Sequence, residues 1–124
     1  MAFSKEEAPK LLAELVRNGY IIKEYTILKN PELKVKFKSM LTKEWMAVPR
    51  LDNEGKMLDL REMNLRDMAA QLISFGEATF NSPEAAYEAL KNQSYFITSK
   101  LADKLTEFNN DIIELLKDDE VKKN

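Results

Sequence analysis

QSYFITSKLADKLTEFNNDIIELLK, residues 93–117, decides the fold. Within it Ile97, Leu101, Leu105, Phe108, Ile112 and Leu115 recur at intervals of 4, 4, 3, 4 and 3, and Ala102 and Leu116 widen the band. That spacing places the apolar side chains on one face of a helix. Lys100, Asp103, Lys104, Glu107, Asn110, Asp111 and Glu114 occupy the opposite face. Most helical stability in water comes from burying such an apolar face, so the rest of the chain must supply a surface for it.

Working back from this helix, Ser82-Pro83-Glu84 is a start signal: an N-cap hydroxyl, a proline at the first helical position and an acid in the first turn. The short helix it opens carries Ala86, Tyr87, Ala89 and Leu90 and gives out over Asn92 to Ser94. Another helix starts at Asp59 or Asn64 and runs to about Phe75, with Leu65, Met68, Leu72 and Ile73 buried and Gly76 as its stop. Between Arg50 and Lys56 the chain is polar and reads as a flexible loop. Thr42 caps a short helical turn that Pro49 ends.

The period changes in the first third of the chain. Leu33, Val35, Phe37, Ser39 and Leu41 alternate with Lys34, Lys36 and Lys38, the pattern of a half-buried strand with a lysine face. Tyr20 to Leu28 is rich in aromatic and β-branched residues and forms a second strand, with Asn30-Pro31 as the break and a hairpin through Lys29 to Glu32. Ahead of it, Ser4 and Glu7 read as a capping box, which would place Pro9 one turn inside the helix; either the helix starts near Ala8 with Pro9 in its first turn, or Pro9 costs one early hydrogen bond. Leu11, Leu12, Leu15 and Val16 form its apolar face and Gly19 its end. The expectation is an α+β, mostly helical fold. A small N-terminal β-hairpin packs with a bundle of three to four helices including the long C-terminal one. Residues 1–117 form a single globular domain and residues 118–124 a charged, frayed tail.

Composition narrows the function. With 124 residues, 44% hydrophobic and 32% charged, the chain has the makings of one globular domain and not of a disordered one. No stretch approaches the ~20 apolar residues of a membrane span, and Met1 to Glu7 lacks the apolar core of a signal peptide. A cytoplasmic protein, in a host cytoplasm if phage-encoded, is expected. There is no histidine and no cysteine, which removes histidine-based triads, the usual zinc sites and thiol nucleophiles. The three glycines are far apart and form no phosphate-cradling loop. Asp118 with Asp119, and Asp52 with Glu54, are the nearest approaches to a metal pair, and both read as solvated surface. We therefore expect no catalytic residues, no metal and no cofactor. Residues 1–50 hold ten basic and six acidic residues, a balance of +4, and residues 51–124 hold nine and fifteen, a balance of −6. This polarity admits a homo-oligomer, or an acidic partner for the N-terminal half.

Two features remain. Lys34, Lys36 and Lys38 stand at ~7 Å intervals along a strand, close to phosphate spacing, but no stacking platform accompanies them and the overall pI of 5.3 argues against nucleic acid. Trp45, Met46, Phe75, Phe80, Tyr95 and Phe96 lie at element ends, where the helical stripes cannot absorb them all. They are the candidate partner-binding residues of an apolar groove, of a composition suited to adaptable peptide binding.

Taken together, several segments resemble the small tail-assembly chaperones of tailed bacteriophages, including those acting on baseplate hub proteins. They are the lysine-rich strand running into Leu41-Thr42-Lys43-Glu44-Trp45, the segment from Met68 through Ala69, Ala70, Gln71, Leu72, Ile73, Ser74 and Phe75 to Gly76, the Ser82-Pro83-Glu84 start, and the Leu101, Leu105, Phe108, Ile112, Leu115, Leu116 helix. The likeness covers residues 33 to 116, and residues 1–32 have no counterpart in it. It implies a non-enzymatic binder that holds a tail protein, hub or tape measure, until assembly. Other classes compatible with the sequence are a structural component of the phage particle, a small regulator touching nucleic acid through the Lys34, Lys36 and Lys38 strand, and a host-targeting inhibitor.

Overall fold

The computed structural model describes residues 3–123, with side chains through residue 117. Its elements follow in the order α1 (Ala8–Asn18), β1 (Ile22–Lys29), β2 (Glu32–Lys38), α2 (Thr42–Ala47), α3 (Leu60–Gln71), β3 (Leu72–Phe75), β4 (Ala78–Thr79), α4 (Pro83–Lys91) and α5 (Tyr95–Lys123). The fold is α+β and mostly helical, with the long helix at its C-terminal end. The backbone of α5 continues to Lys123, whereas the side chains of the expected tail, the Asp118 and Asp119 pair included, lie outside the described residues.

The hairpin forms where the alternation places it. Val35 and Phe37 are fully buried, Lys34 and Lys36 are exposed, and Lys29 faces Glu32 across the Asn30–Pro31 turn. Ser39, a polar residue on the apolar face, is buried but satisfied. Its hydroxyl accepts the Ile21 N–H at 2.9 Å, and its own N–H donates to the Ile21 carbonyl at 2.9 Å.

The sheet is larger than a hairpin. Four antiparallel strands lie in the order β1-β2-β3-β4. The expected helix to Phe75 stops at Gln71, and Leu72–Phe75 becomes β3, with Val35 opposite Phe75 and Phe37 opposite Leu72. The open edge of β2 offers these residues a hydrogen-bonding ladder that a further helical turn would leave unpaired. Gly76, at φ 60°, turns the chain back into β4 instead of capping a helix, and its N–H donates to the Lys34 carbonyl.

At the N-terminal end, Ser4 and Glu7 make the reciprocal bonds of a capping box, at 2.9 and 3.1 Å, and Pro9 sits in the first turn of α1. Gly19 ends α1 at φ 86°, with the Leu41 side chain so near that a β-carbon there would meet it at 2.6 Å. Ahead of α1, Phe3 is buried in the core beneath the Lys23 ammonium, 4.5 Å from the ring centroid. Thr42 begins α2 but does not cap it. The Glu44 carboxylate does, accepting the Leu41 N–H at 2.8 Å. The Arg50–Lys56 segment, expected to be flexible, is closed by a Leu51–Met57 bridge and by Asp52, whose carboxylate accepts the N–H groups of Glu54 and Lys56.

α5 lies across β1 and meets α1, while α3 packs on α4. Leu101, Leu105, Phe108, Ile112 and Leu115 are all buried, and Phe108 stacks on Phe37 at 6.1 Å with Tyr25 edge-on at 6.2 Å. Asp111, assigned by periodicity to the solvated face, is buried as well. Burial raises the pKa of the Tyr25 phenol above its usual 10, and the nearby Asp111 charge adds to the shift.

Candidate functional site

α3 and α5 are not zipped together along their length. They are tied by a reciprocal pair of amides: Gln71 donates to Asn109 Oδ1 at 3.0 Å, and Asn109 donates to Gln71 Oε1 at 3.2 Å. The second proton of the Gln71 amide goes to the Lys38 carbonyl at 3.2 Å. From this joint a cleft of about 600 Å³ opens toward Arg61 on α3 and Tyr95 on α5, floored by Leu65, Met68 and Leu105. On the other side of the joint a trough of about 410 Å³ continues past Ser39 and Thr42 to Ile112 and Ile113. Met40, Trp45, Gln71 and Asn109 line both, so the two form one groove along α5.

The wall that α5 gives to this groove is a second stripe on the same helix. Tyr95, Thr98, Ser99, Ala102, Thr106, Asn109 and Ile113 follow one another at helical spacing, beside the core stripe and offset from it. Ala102 and Leu116, expected to widen the core band, are exposed instead. The residues are mostly small or mildly polar, which is why hydrophobic periodicity alone misses them. The available signal was the 3- and 4-residue recurrence of Ala, Ser and Thr next to a strong apolar stripe.

The six candidate residues divide. Trp45 and Tyr95 line the cleft and are 57% and 77% exposed. Phe96, 78% exposed, packs edge-on against Tyr95 with centroids 5.8 Å apart, extending the rim. Met46, beside Trp45 on α2, is 72% exposed but does not line the cleft. Phe75 and Phe80 lie elsewhere, on the β3–β4 hairpin, half-buried against the core. The extra strands supply the area a two-stranded hairpin would have lacked, so these two rings do not join Trp45, Tyr95 and Phe96.

The chemistry of the surroundings is plain. Lys34 lies 4.0 Å from both Glu24 and Glu32, and Lys38 pairs with Glu44 at 3.0 Å while covering the Tyr20 ring at 4.5 Å. The lysine row is thus largely matched by carboxylates. Burial would raise the Glu44 pKa, but the Leu41 N–H and the Lys38 ammonium outweigh it and hold the carboxyl below its usual value. At the start of α3, Asp59 caps Arg61 N–H and binds its guanidinium at 3.0 Å, tethering that cation at the cleft mouth. A smaller cavity of about 360 Å³ between α2, α3 and the start of α4 carries Glu44, Arg66 and Glu84 on otherwise apolar walls. Arg66 lies 3.5 Å over the Tyr87 ring. Among the described residues no group of three or more acidic side chains is placed to hold a metal ion, and no helix is long and apolar enough to cross a membrane. What this arrangement offers is an elongated surface with an apolar floor and mixed polar walls, Arg61, Asn64 and Asp67 among them, rimmed by aromatics. No known protein family, no curated protein and no solved structure matches the chain.

Proposed function

We propose that this protein is a non-enzymatic binding protein that shelters an apolar segment of a partner protein in the groove between α3 and α5. The observation that carries this reading is the exposure of Trp45 and Tyr95 on the walls of a groove with an apolar floor. A monomer gains nothing by leaving large aromatic rings in water beside an open cleft, whereas exposed apolar patches of this kind mark interaction sites. The resemblance of residues 33 to 116 to phage tail-assembly chaperones supplies the partner class, a tail protein such as a baseplate hub or tape measure, held in the host cytoplasm until assembly. The matched lysine row lends no support to a nucleic-acid role.

The test is co-expression with a hub or tape-measure protein. A soluble complex should form, survive moderate salt, and be lost when Trp45→Ser and Tyr95→Ser are combined without a change in melting temperature. A tail protein that stays soluble alone and never co-elutes with this chain refutes the proposal.

A further inference from the structure

We propose that the cavity between α2, α3 and the start of α4 binds a free α-amino acid with an apolar side chain. No residue lines both this cavity and the groove, so the site stands apart from whatever the groove takes. Its volume of about 360 Å³ lies near the lower end for small-molecule pockets, enough for a ligand of amino-acid size. Val48 and Ala69 are buried and form its floor, Ala70 is half-buried beside them, and Ala47, Pro49 and Pro83 stand exposed at the rim. Small side chains leave the space open, and the proline rings, each with a fixed φ, stiffen its mouth.

Arg66 supplies the anion site. Its side chain is only 24% exposed, yet among the described residues its guanidinium makes no hydrogen bond. Nε is buried without an acceptor, and the Glu62 carboxylate stands 3.6 Å away. The guanidinium carbon lies 3.5 Å over the Tyr87 ring, a stacking contact that fixes the group in place. A planar guanidinium held on an aromatic face, with N–H groups unsatisfied, matches the fork of a carboxylate.

The glutamates of the cavity argue against a simple anion. Glu44 is already committed, since its carboxylate accepts from the Lys38 ammonium and the Leu41 N–H. Glu84, exposed at the mouth, has no ion-pair partner among the described residues, Arg66 included. A guanidinium with unsatisfied donors and a free carboxylate therefore border one small space. A sphere of that volume is about 9 Å across, and the two charged groups of an α-amino acid, with a hydrogen bond of about 2.9 Å beyond each, reach about as far. The ligand carboxylate goes to Arg66, its ammonium to Glu84 and its side chain to the floor of Val48 and Ala69. A chain terminus brings only one of the two charges.

Titration of the isotope-labelled full chain with leucine, followed by NMR, tests this. Saturable shifts should centre on the amides of Val48, Ala69 and Ala70. N-acetylleucine, which lacks the ammonium and stands for a C-terminal residue, should bind about threefold more weakly, because Glu84 is exposed and screened. Leucinamide, which lacks the carboxylate and stands for an N-terminal residue, should bind at least about tenfold more weakly. Arg66→Gln should weaken leucine by at least about tenfold as well, and Ala70→Leu, which fills the cavity, should abolish binding. Arg66→Lys, which keeps the charge but not the fork, replaces Arg66→Gln if that variant loses its cooperative melting transition. Absence of saturable shifts, or shifts centred on the groove residues Ala102 and Thr106, overturns the proposal. Equal affinity for leucine and N-acetylleucine would make the cavity a seat for a chain's C-terminus and overturns it too. So does leucinamide binding as tightly as leucine, or leucine binding that the Arg66 variant leaves unchanged.

Discussion

The two long faces of α5 share one backbone and one helical period but meet opposite fates. On one face Leu101 and Phe108 are wholly buried, with Phe108 stacked on Phe37 of the sheet. On the other, Tyr95, Ala102 and Thr106 border an open groove. The difference lies in what stands opposite. The sheet gives the first face a continuous apolar surface, while α3 meets the second at the Gln71–Asn109 amides and packs mainly on α4. Periodicity specifies that a stripe exists. Its coverage depends on whether another element has spare apolar area to offer, and α3 has committed Met68 and Ala69 to the core.

The largest expected effect falls on the covered face. Phe108→Ala should cost about 3–5 kcal/mol in chemical denaturation, a large share of a small domain's stability. A loss below a kcal/mol would mean that the two faces had been confused. Next comes the joint that separates them. Gln71→Ala leaves the Asn109 amide and the Lys38 carbonyl without their partner and should cost about 1–3 kcal/mol. Glutamate at the same position would bury a carboxylate against the Lys38 carbonyl and should cost at least as much.

Tyr25, on the covered side, gives a smaller effect of opposite sign. Its hydroxyl is buried with no hydrogen-bond partner among the described residues. Tyr25→Phe should therefore be neutral or stabilising by up to about 1 kcal/mol at pH 7. Because burial raises the folded pKa above the unfolded value of 10, the tyrosine's contribution is fully present below pH 10 and is lost as pH rises beyond it. Melting curves at alkaline pH should show that limb flattened in Tyr25→Phe, and an unchanged limb would contradict the assignment. The smallest effect belongs to the open face. Tyr95→Ser should change stability by no more than about 0.5 kcal/mol while weakening the partner complex. A Tyr95→Ser loss matching that of Phe108→Ala would place both rings in one core.

Much of this contrast was legible in the residues. The alternation of Leu33 to Leu41, the Ser82-Pro83-Glu84 start and the Leu101 to Leu115 stripe report local geometry, which depends on nearby side chains alone. Leu72–Phe75 was not legible as a strand. Leu65, Met68 and Leu72 continue a helical spacing, and only the edge of β2, thirty-odd residues away in sequence, makes extension preferable. Gly76 satisfies a helix stop and a hairpin turn equally well. The groove was half legible. An excess of aromatics at element ends identified Trp45, Tyr95 and Phe96, but also drew in Phe75 and Phe80, which the unforeseen strands bring against the core. Its α5 wall escaped notice because alanine, serine and threonine carry too little hydrophobicity to register as a stripe.

The seating of α5 across β1 and against Phe37 has a consequence for biosynthesis. Ribosomes deliver the hairpin well before the helix that covers it, and Leu101 is made 64 residues after Phe37. At about 5–20 residues per second the wait is roughly 3–13 s, far longer than a hairpin needs to form. Throughout that interval the nascent chain presents Val35 and Phe37 uncovered, so a protein proposed to shelter the apolar segments of others begins its own life as a substrate for such shelter.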